Sequence, residues 1–136
     1  MQKLNQSYIK SVVKKALDED LKPRGDITTN LIKFKNKKAK AQIIAKQDGI
    51  IAGLDFCKTA FKLVGKETIF ISKVKDGAKV KKNKVIAEIK AKTKTILIAE
   101  RTALNFLNHT SGIATLTNQF KQKVNKKTKI CCTRKT

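Results

Sequence analysis

The sequence has no tryptophan, a single tyrosine and a single histidine, and only three of its 32 basic residues are arginine. With so few flat side chains there is little from which to build the stacking platform of a single-stranded nucleic-acid module. No apolar run approaches the roughly 20 residues needed to cross a bilayer, and the opening Met1-Gln2-Lys3-Leu4-Asn5-Gln6 has no apolar core of a secretory signal. The cytoplasm is the expected compartment. Three cysteines, Cys57, Cys131 and Cys132, make no metal-binding or redox spacing. Adjacent Cys131 and Cys132 suit a disulfide poorly, so reduced, buried thiols are expected.

What is abundant is lysine. The net charge is +22 over 136 residues, with 40% hydrophobic and 31% charged residues, a composition for one globular domain with a real core. Such a charge suits nucleic acid, anionic membrane or an anionic small molecule. The lysines are nevertheless scattered among Asn and Ile and gather at expected turns, as in Lys79-Val80-Lys81-Lys82-Asn83-Lys84. Charge alone therefore assigns no nucleic-acid partner.

Against that background the three arginines, Arg24, Arg101 and Arg134, stand out. A guanidinium offers a planar fork of donors that grips a carboxylate or phosphate through two parallel bonds, which an ammonium cannot do. Glu100-Arg101 is expected at a helix N-terminus, where Arg101 would oppose the helix dipole and so call for an external anion, the plain alternative being a surface pair with Glu100. Thr133-Arg134-Lys135 sets a hydroxyl, a guanidinium and an ammonium side by side at the end of an expected strand; the alternative is a merely basic tail. Arg24 is read as a loop residue. His109, on the long helix, suits a packed or surface position better than acid–base work.

Periodicity predicts a helix over 7–17, with Ile9, Val13 and Leu17 beside Tyr8, Val12 and Ala16 at four-residue spacing and Ser7 as N-cap. Asp18-Glu19-Asp20 reads as a solvated helix exit rather than a metal site, and Pro23-Arg24-Gly25-Asp26 as a turn. A half-buried strand is expected over 38–46, a helix over 54–64, a strand over 68–74 with a turn at Asp76-Gly77, and strands at 85–89 and 95–99. Residues 100–124 carry the longest helical pattern, with Phe106, Ile113 and Phe120 every seven residues; Ser111-Gly112 predicts a break or a close packing partner, since mid-helix glycine costs ~1 kcal/mol. A buried strand is expected at 130–133. The stretch around Asp76 to Ile89 is similar in sheet architecture to biotinyl and lipoyl carrier sandwiches, without their modified-lysine motif.

Three ordered motifs carry a more specific resemblance. Glu100-Arg101-Thr102-Ala103-Leu104-Asn105-Phe106-Leu107, Ser111-Gly112-Ile113-Ala114-Thr115 and Thr133-Arg134-Lys135-Thr136, preceded by Ala16-Leu17-Asp18-Glu19-Asp20, Gly25-Asp26-Ile27-Thr28-Thr29 and Gly49-Ile50-Ile51-Ala52-Gly53, resemble the quinolinate phosphoribosyltransferases. The resemblance implies an α+β fold: an N-terminal α/β open sandwich (barrel-sandwich-like) over residues 1–99, then a linking helix and the first strand of an incomplete α/β barrel over 100–136. It implies phosphoribosyl transfer from phosphoribosyl pyrophosphate to quinolinate with decarboxylation, giving nicotinate mononucleotide in de novo NAD biosynthesis, with Mg2+. Arg101, Thr133, Arg134 and Lys135 would bind quinolinate, Arg101 reaching the neighbouring subunit of a homodimer. Cys132 departs from the family pattern, which usually has Asp before Thr-Arg-Lys-Thr. The remaining substrate and Mg2+ ligands are expected beyond residue 136, which makes the chain a fragment without turnover of its own. The readings that compete with it are a related pyrophosphorylase-like protein linked to molybdenum transport and a basic nucleic-acid-binding module.

Overall fold

A computed structural model of the chain describes residues 4–21, 36–125 and 127–131. Helix α1 (Gln6–Leu21) is followed by strands β1 (Lys38–Ile44) and β2 (Gly49–Ile50), helix α2 (Leu54–Val64), strands β3 (Ile69–Ser72), β4 (Lys79–Val80) and β5 (Val85–Lys92), and helix α3 (Thr93–Lys123). Three strands form an antiparallel sheet in the order β1-β5-β3, and β2 pairs with β4 in a separate antiparallel ribbon. The small sheets and long C-terminal helix are the α+β architecture expected.

Strand β1 alternates as its sequence does. Ala39, Ala41 and Ile43 are half-buried while the residues between them are exposed, so one face of the sheet meets the core and the other meets water. The inner face continues in Ala87, Ile89 and Ala91 of β5. The helices fill in behind it. Ile9, Val13 and Leu17 form the buried seam of α1; Leu54, Cys57, Ala60 and Phe61 form that of α2. Phe61 lies against Phe70 of β3 with ring centroids 6.0 Å apart, and Phe56 stacks on Phe106 of α3 at 5.2 Å.

Four local expectations change. The N-cap of α1 is Asn5, whose Oδ1 accepts from the backbone N and the hydroxyl of Ser7, both at 2.9 Å; a capping side chain serves an orphan N–H two or three residues on, and here that N–H is Ser7's own. Asp18-Glu19-Asp20 lies inside the last turns of α1, not after it. The apolar run Thr95–Ala99 is helical, because Ala99 continues into the buried series Thr102, Ala103, Leu107, and short apolar runs fit either structure until a neighbour decides. The expected division between residues 99 and 100 consequently falls within a continuous helix. At the other end of the chain, Ile130 and Cys131 carry no regular structure and are exposed; the rest of the strand expected at 130–133 lies outside the described residues.

Helix α3 has two unlike halves. Its first half carries the helix's buried residues, Ala99, Thr102, Ala103 and Leu107, and the helix as a whole meets α2, β2, α1, β5 and β1. In its second half Ile113, Leu116 and Phe120 form one stripe, each more than half exposed. Among the described residues nothing covers that stripe.

Replacing Ile9, 1% exposed, by alanine should cost about 2–5 kcal/mol in urea unfolding; a loss below about 1 kcal/mol would mean that α1 is not docked. Burial pushes the thiol of Cys57 up from 9.0 to about 12. Unfolded, it ionises near its ordinary value, so above pH 9 the folded state holds the extra proton and this group's contribution falls as pH rises toward 12. In the native chain at pH 8 Cys57 should resist alkylation while exposed Cys131 reacts, as peptide mapping would show.

Candidate functional site

Arg101 is the ninth residue of α3, two turns from its start. At that depth the helix dipole has little hold on it, so the expected opposition to the dipole does not apply. Its neighbours Thr102 and Ala103 are buried, and their contacts fix the rotation of the helix so that Arg101 lies on an outer side, 76% exposed. Its Nη1 stands 3.7 Å from Oδ1 of Asp20 in the last turn of α1. This is an ion pair beyond hydrogen-bond length. Asp20 biases the guanidinium electrostatically without occupying its fork of donors; it is the surface partner here, where the sequence offered Glu100 as the plain alternative to an external anion.

Thr133, Arg134 and Lys135 lie outside the described residues, as do Arg24 and Cys132. His109 is exposed on α3. Among the described residues no group of three His, Cys, Asp or Glu could hold a metal ion. Cys57 is no nucleophile, since its thiol stays protonated in the core.

The residues that hold Arg101's helix in place are hydroxyls. Ile50 N donates to Thr115 Oγ1 at 2.9 Å and Ala52 N to Ser111 Oγ at 3.0 Å. Thr115 Oγ1 in turn donates to Ser111 O at 2.7 Å, so its one proton and one of its two lone pairs are used. Thr110 Oγ1 faces Ala52 O and its own helix's Phe106 O, at 2.5 and 2.7 Å. Gly53 then turns the chain into α2 with φ +92°, and a Cβ there would overlap Thr110 Oγ1. Both the left-handed backbone and the close approach demand glycine. Gly53 offers α2 no side-chain cap; Asp76 supplies one from 22 residues downstream of Leu54, its carboxylate accepting from Gly53 N at 3.2 Å and Leu54 N at 3.1 Å. A carboxylate there also complements the helix dipole.

This joint corrects the expectation at Ser111-Gly112. The helix is unbroken, and a Cβ on Gly112 would meet open space; the close partner belongs to Ser111 instead. Thr110 and Asp76 had no assigned role beyond a turn at Asp76. Their signal was two hydroxyls in sequence with a third four residues on, which is one helix face, in a chain that also carries Gly49-Ile50-Ile51-Ala52-Gly53. Gly53→Ala should cost about 2–4 kcal/mol from backbone strain and overlap together. Thr115→Val, which orphans one part-buried N–H, should cost about 1 kcal/mol or a little more. Both read out as lowered urea midpoints, and an unchanged midpoint for Gly53→Ala would contradict the joint.

The sequence model described as "Quinolinate phosphoribosyl transferase, N-terminal domain" matches residues 26–111. A probable nicotinate-nucleotide pyrophosphorylase [carboxylating] of Methanocaldococcus jannaschii is 44% identical over 133 residues, covering 95% of this chain and 45% of that relative. A protein of the same description from Bacillus subtilis is 35% identical over 98% of this chain and 46% of its own length. The solved nicotinate-nucleotide pyrophosphorylase of Francisella tularensis superposes with a TM-score of 0.82 at 32% identity, covering 88% of this chain and 42% of that one. The chain thus spans a little under half the length of these relatives. With the family model matched from Asp26 to Ser111, across the joint between the Gly49–Gly53 segment and α3, this chain belongs to the quinolinate phosphoribosyltransferase family and carries its N-terminal domain.

Proposed function

We propose that the protein built on this domain transfers the phosphoribosyl group of phosphoribosyl pyrophosphate to quinolinate with decarboxylation, giving nicotinate mononucleotide on the de novo route to NAD. One observation carries the reading: relatives described as carboxylating nicotinate-nucleotide pyrophosphorylases align with 95% and 98% of this chain. The exposed, unforked Arg101 supports it chemically. Quinolinate is a dianion, and taking it out of water is costly unless charged donors replace the hydration of its carboxylates.

In this proposal Arg101 grips one carboxylate through its fork, reaching from one subunit of a homodimer into the site of the other. Thr133, Arg134 and Lys135 contribute a hydroxyl, a second fork and an ammonium. We place the handover from sandwich to catalytic part at residues 99 and 100, within α3. Mg2+ would serve the pyrophosphate of the second substrate. The described residues do not fit it, having no cluster able to hold a metal, so no step is assigned through it. No helix among the described residues is long and apolar enough to cross a membrane; the proposed compartment is the cytoplasm, where a buried thiol such as that of Cys57 stays reduced.

In the complete enzyme, Arg101→Lys should raise the KM for quinolinate about tenfold or more, a loss of about 1.4 kcal/mol or more, while leaving the KM for phosphoribosyl pyrophosphate nearly unchanged. Ordinary capture of quinolinate after Arg101→Lys and Arg134→Lys together would overturn the assignment.

A further inference from the structure

The water-facing side of the three-stranded sheet carries an unusual register. Lys38 of β1 lies directly opposite Lys92 of β5, and Lys40 opposite Lys90; all four are exposed. Like charges directly opposed on neighbouring strands destabilise a sheet, and here two such pairs are stacked one above the other. Neighbouring strands lie about 4.8 Å apart and alternate residues of one strand about 6.8 Å apart, so four ammonium stems rise from a patch of about 5 by 7 Å.

The next row shows what balanced charge looks like on the same face. Gln42 lies opposite Glu88, and the Glu88 carboxylate is held by Lys73 at 3.1 Å and by Gln42 at 3.4 Å. Hydrogen bonding from Lys73 lowers its pKa, so it stays ionised there and is already engaged. Lys90 lies opposite Ile69 of β3 and acts on the Glu88 carboxylate only through space, and neither lysine row has a carboxylate opposite it in the register.

We propose that this face binds a linear oligophosphate. Charge selects a polyanion. Its kind follows from what else stands in the paired rows of this face: Gln42, Glu88, Ile69 and Ile71, with no aromatic ring. Single-stranded nucleic acid is held by stacking its bases as well as by its phosphates, and nothing here can stack. A chain of phosphates needs only closely set ammonium groups, each a point charge with three donors free to turn, and two facing rows of them bracket such a chain from both sides. The inference is independent of the quinolinate reading, since it uses neither Arg101 nor the strand that follows α3.

The test is calorimetric titration of the chain with sodium tripolyphosphate at about 0.15 M salt, where surface charges more than about 8 Å apart are screened. The double variant Lys40→Gln/Lys90→Gln is compared with Lys10→Gln/Lys14→Gln, which removes the same charge from exposed positions on α1. Affinity should fall about tenfold or more in the sheet variant, worth about 1.4 kcal/mol, and less than about twofold in the helix variant. Without ligand the sheet variant should melt no lower than the unmodified chain, because the repulsion is relieved. Equal losses in the two variants would show that binding follows net charge and would overturn the site. So would a lower melting temperature for the ligand-free sheet variant, or tighter binding of a single-stranded RNA with the same number of phosphates than of tripolyphosphate.

Discussion

Five consecutive backbone N–H groups, from Ile50 to Leu54, are satisfied by four residues from two distant parts of the chain, the middle of α3 and the turn before β4. Ile50 donates to Thr115, Ile51 to the carbonyl of Ala78, Ala52 to Ser111, and Gly53 and Leu54 to the two oxygens of Asp76. A segment this short cannot satisfy itself: it is too brief for a helix and too buried to rely on water. Each partner is therefore obligatory, and each fixes the place of the element that brings it. Thr115 and Ser111 set the height of α3. The Ala78 carbonyl and Asp76 set the turn before β4, which Gly77 closes with φ +88° by returning its own N–H to Ile51 O at 2.7 Å. The small sheet ribbon, the start of α2 and the middle of α3 form one mechanical unit through the backbone of five residues.

The position of Arg101 follows from that unit. Hydroxyl contacts at 110–115 fix where α3 stands along its axis, and Ala99, Ala103 and Leu107 fix its rotation by burying one narrow stripe. Small residues there let the helix lie close to α2, where Phe106 meets Phe56. With height and rotation both set, Arg101 is delivered to the side of the helix next to the end of α1, within range of Asp20. A surface pair of this kind adds little stability. Its effect is to bias where a long side chain spends its time, and the donor fork remains open to another carboxylate.

Periodicity made most of the fold legible, but not its joints. Strand β1 alternates because only one sheet face is covered, and α2 shows its buried stripe because the other face is wet; both patterns are imprinted by a neighbour of simple shape. Residues 95–99 gave no such pattern. An apolar run buried on several sides looks the same as helix or strand, and the deciding fact was its continuity with Ala103 and Leu107. Ser7 and Asn5 are both good caps, and two residues separate the right choice from the wrong one. The Ser111–Thr115 motif was readable as a signature but not as a mechanism, because its meaning lies in the N–H groups of a segment 59 to 65 residues away. For the arginines, composition pointed to Arg101 as exceptional, whereas its partner Asp20 was hidden in an acidic string that reads as mere solvation.

Among the described residues the sheet lysines and Arg101 differ in kind, and the difference suits lysine to the one place and arginine to the other. On the sheet, ammonium groups repeat at the spacing of the strands, so what they present is density of charge, tolerant of how an anion lies across them. On α3 a single guanidinium stands on a helix whose height and rotation are independently pinned, so what it presents is direction. A directional donor is useful only on a rigid mount; a fork that swings through many orientations loses the advantage of two parallel bonds. The hydroxyl joint and the buried alanines supply that mount at considerable local cost, including a left-handed glycine and a helix cap borrowed from a distant turn. The sheet face needs no comparable support, since neighbouring strands are held in register by their own backbone ladder. The elaborate part of this small domain is thus concentrated where orientation matters, behind Arg101.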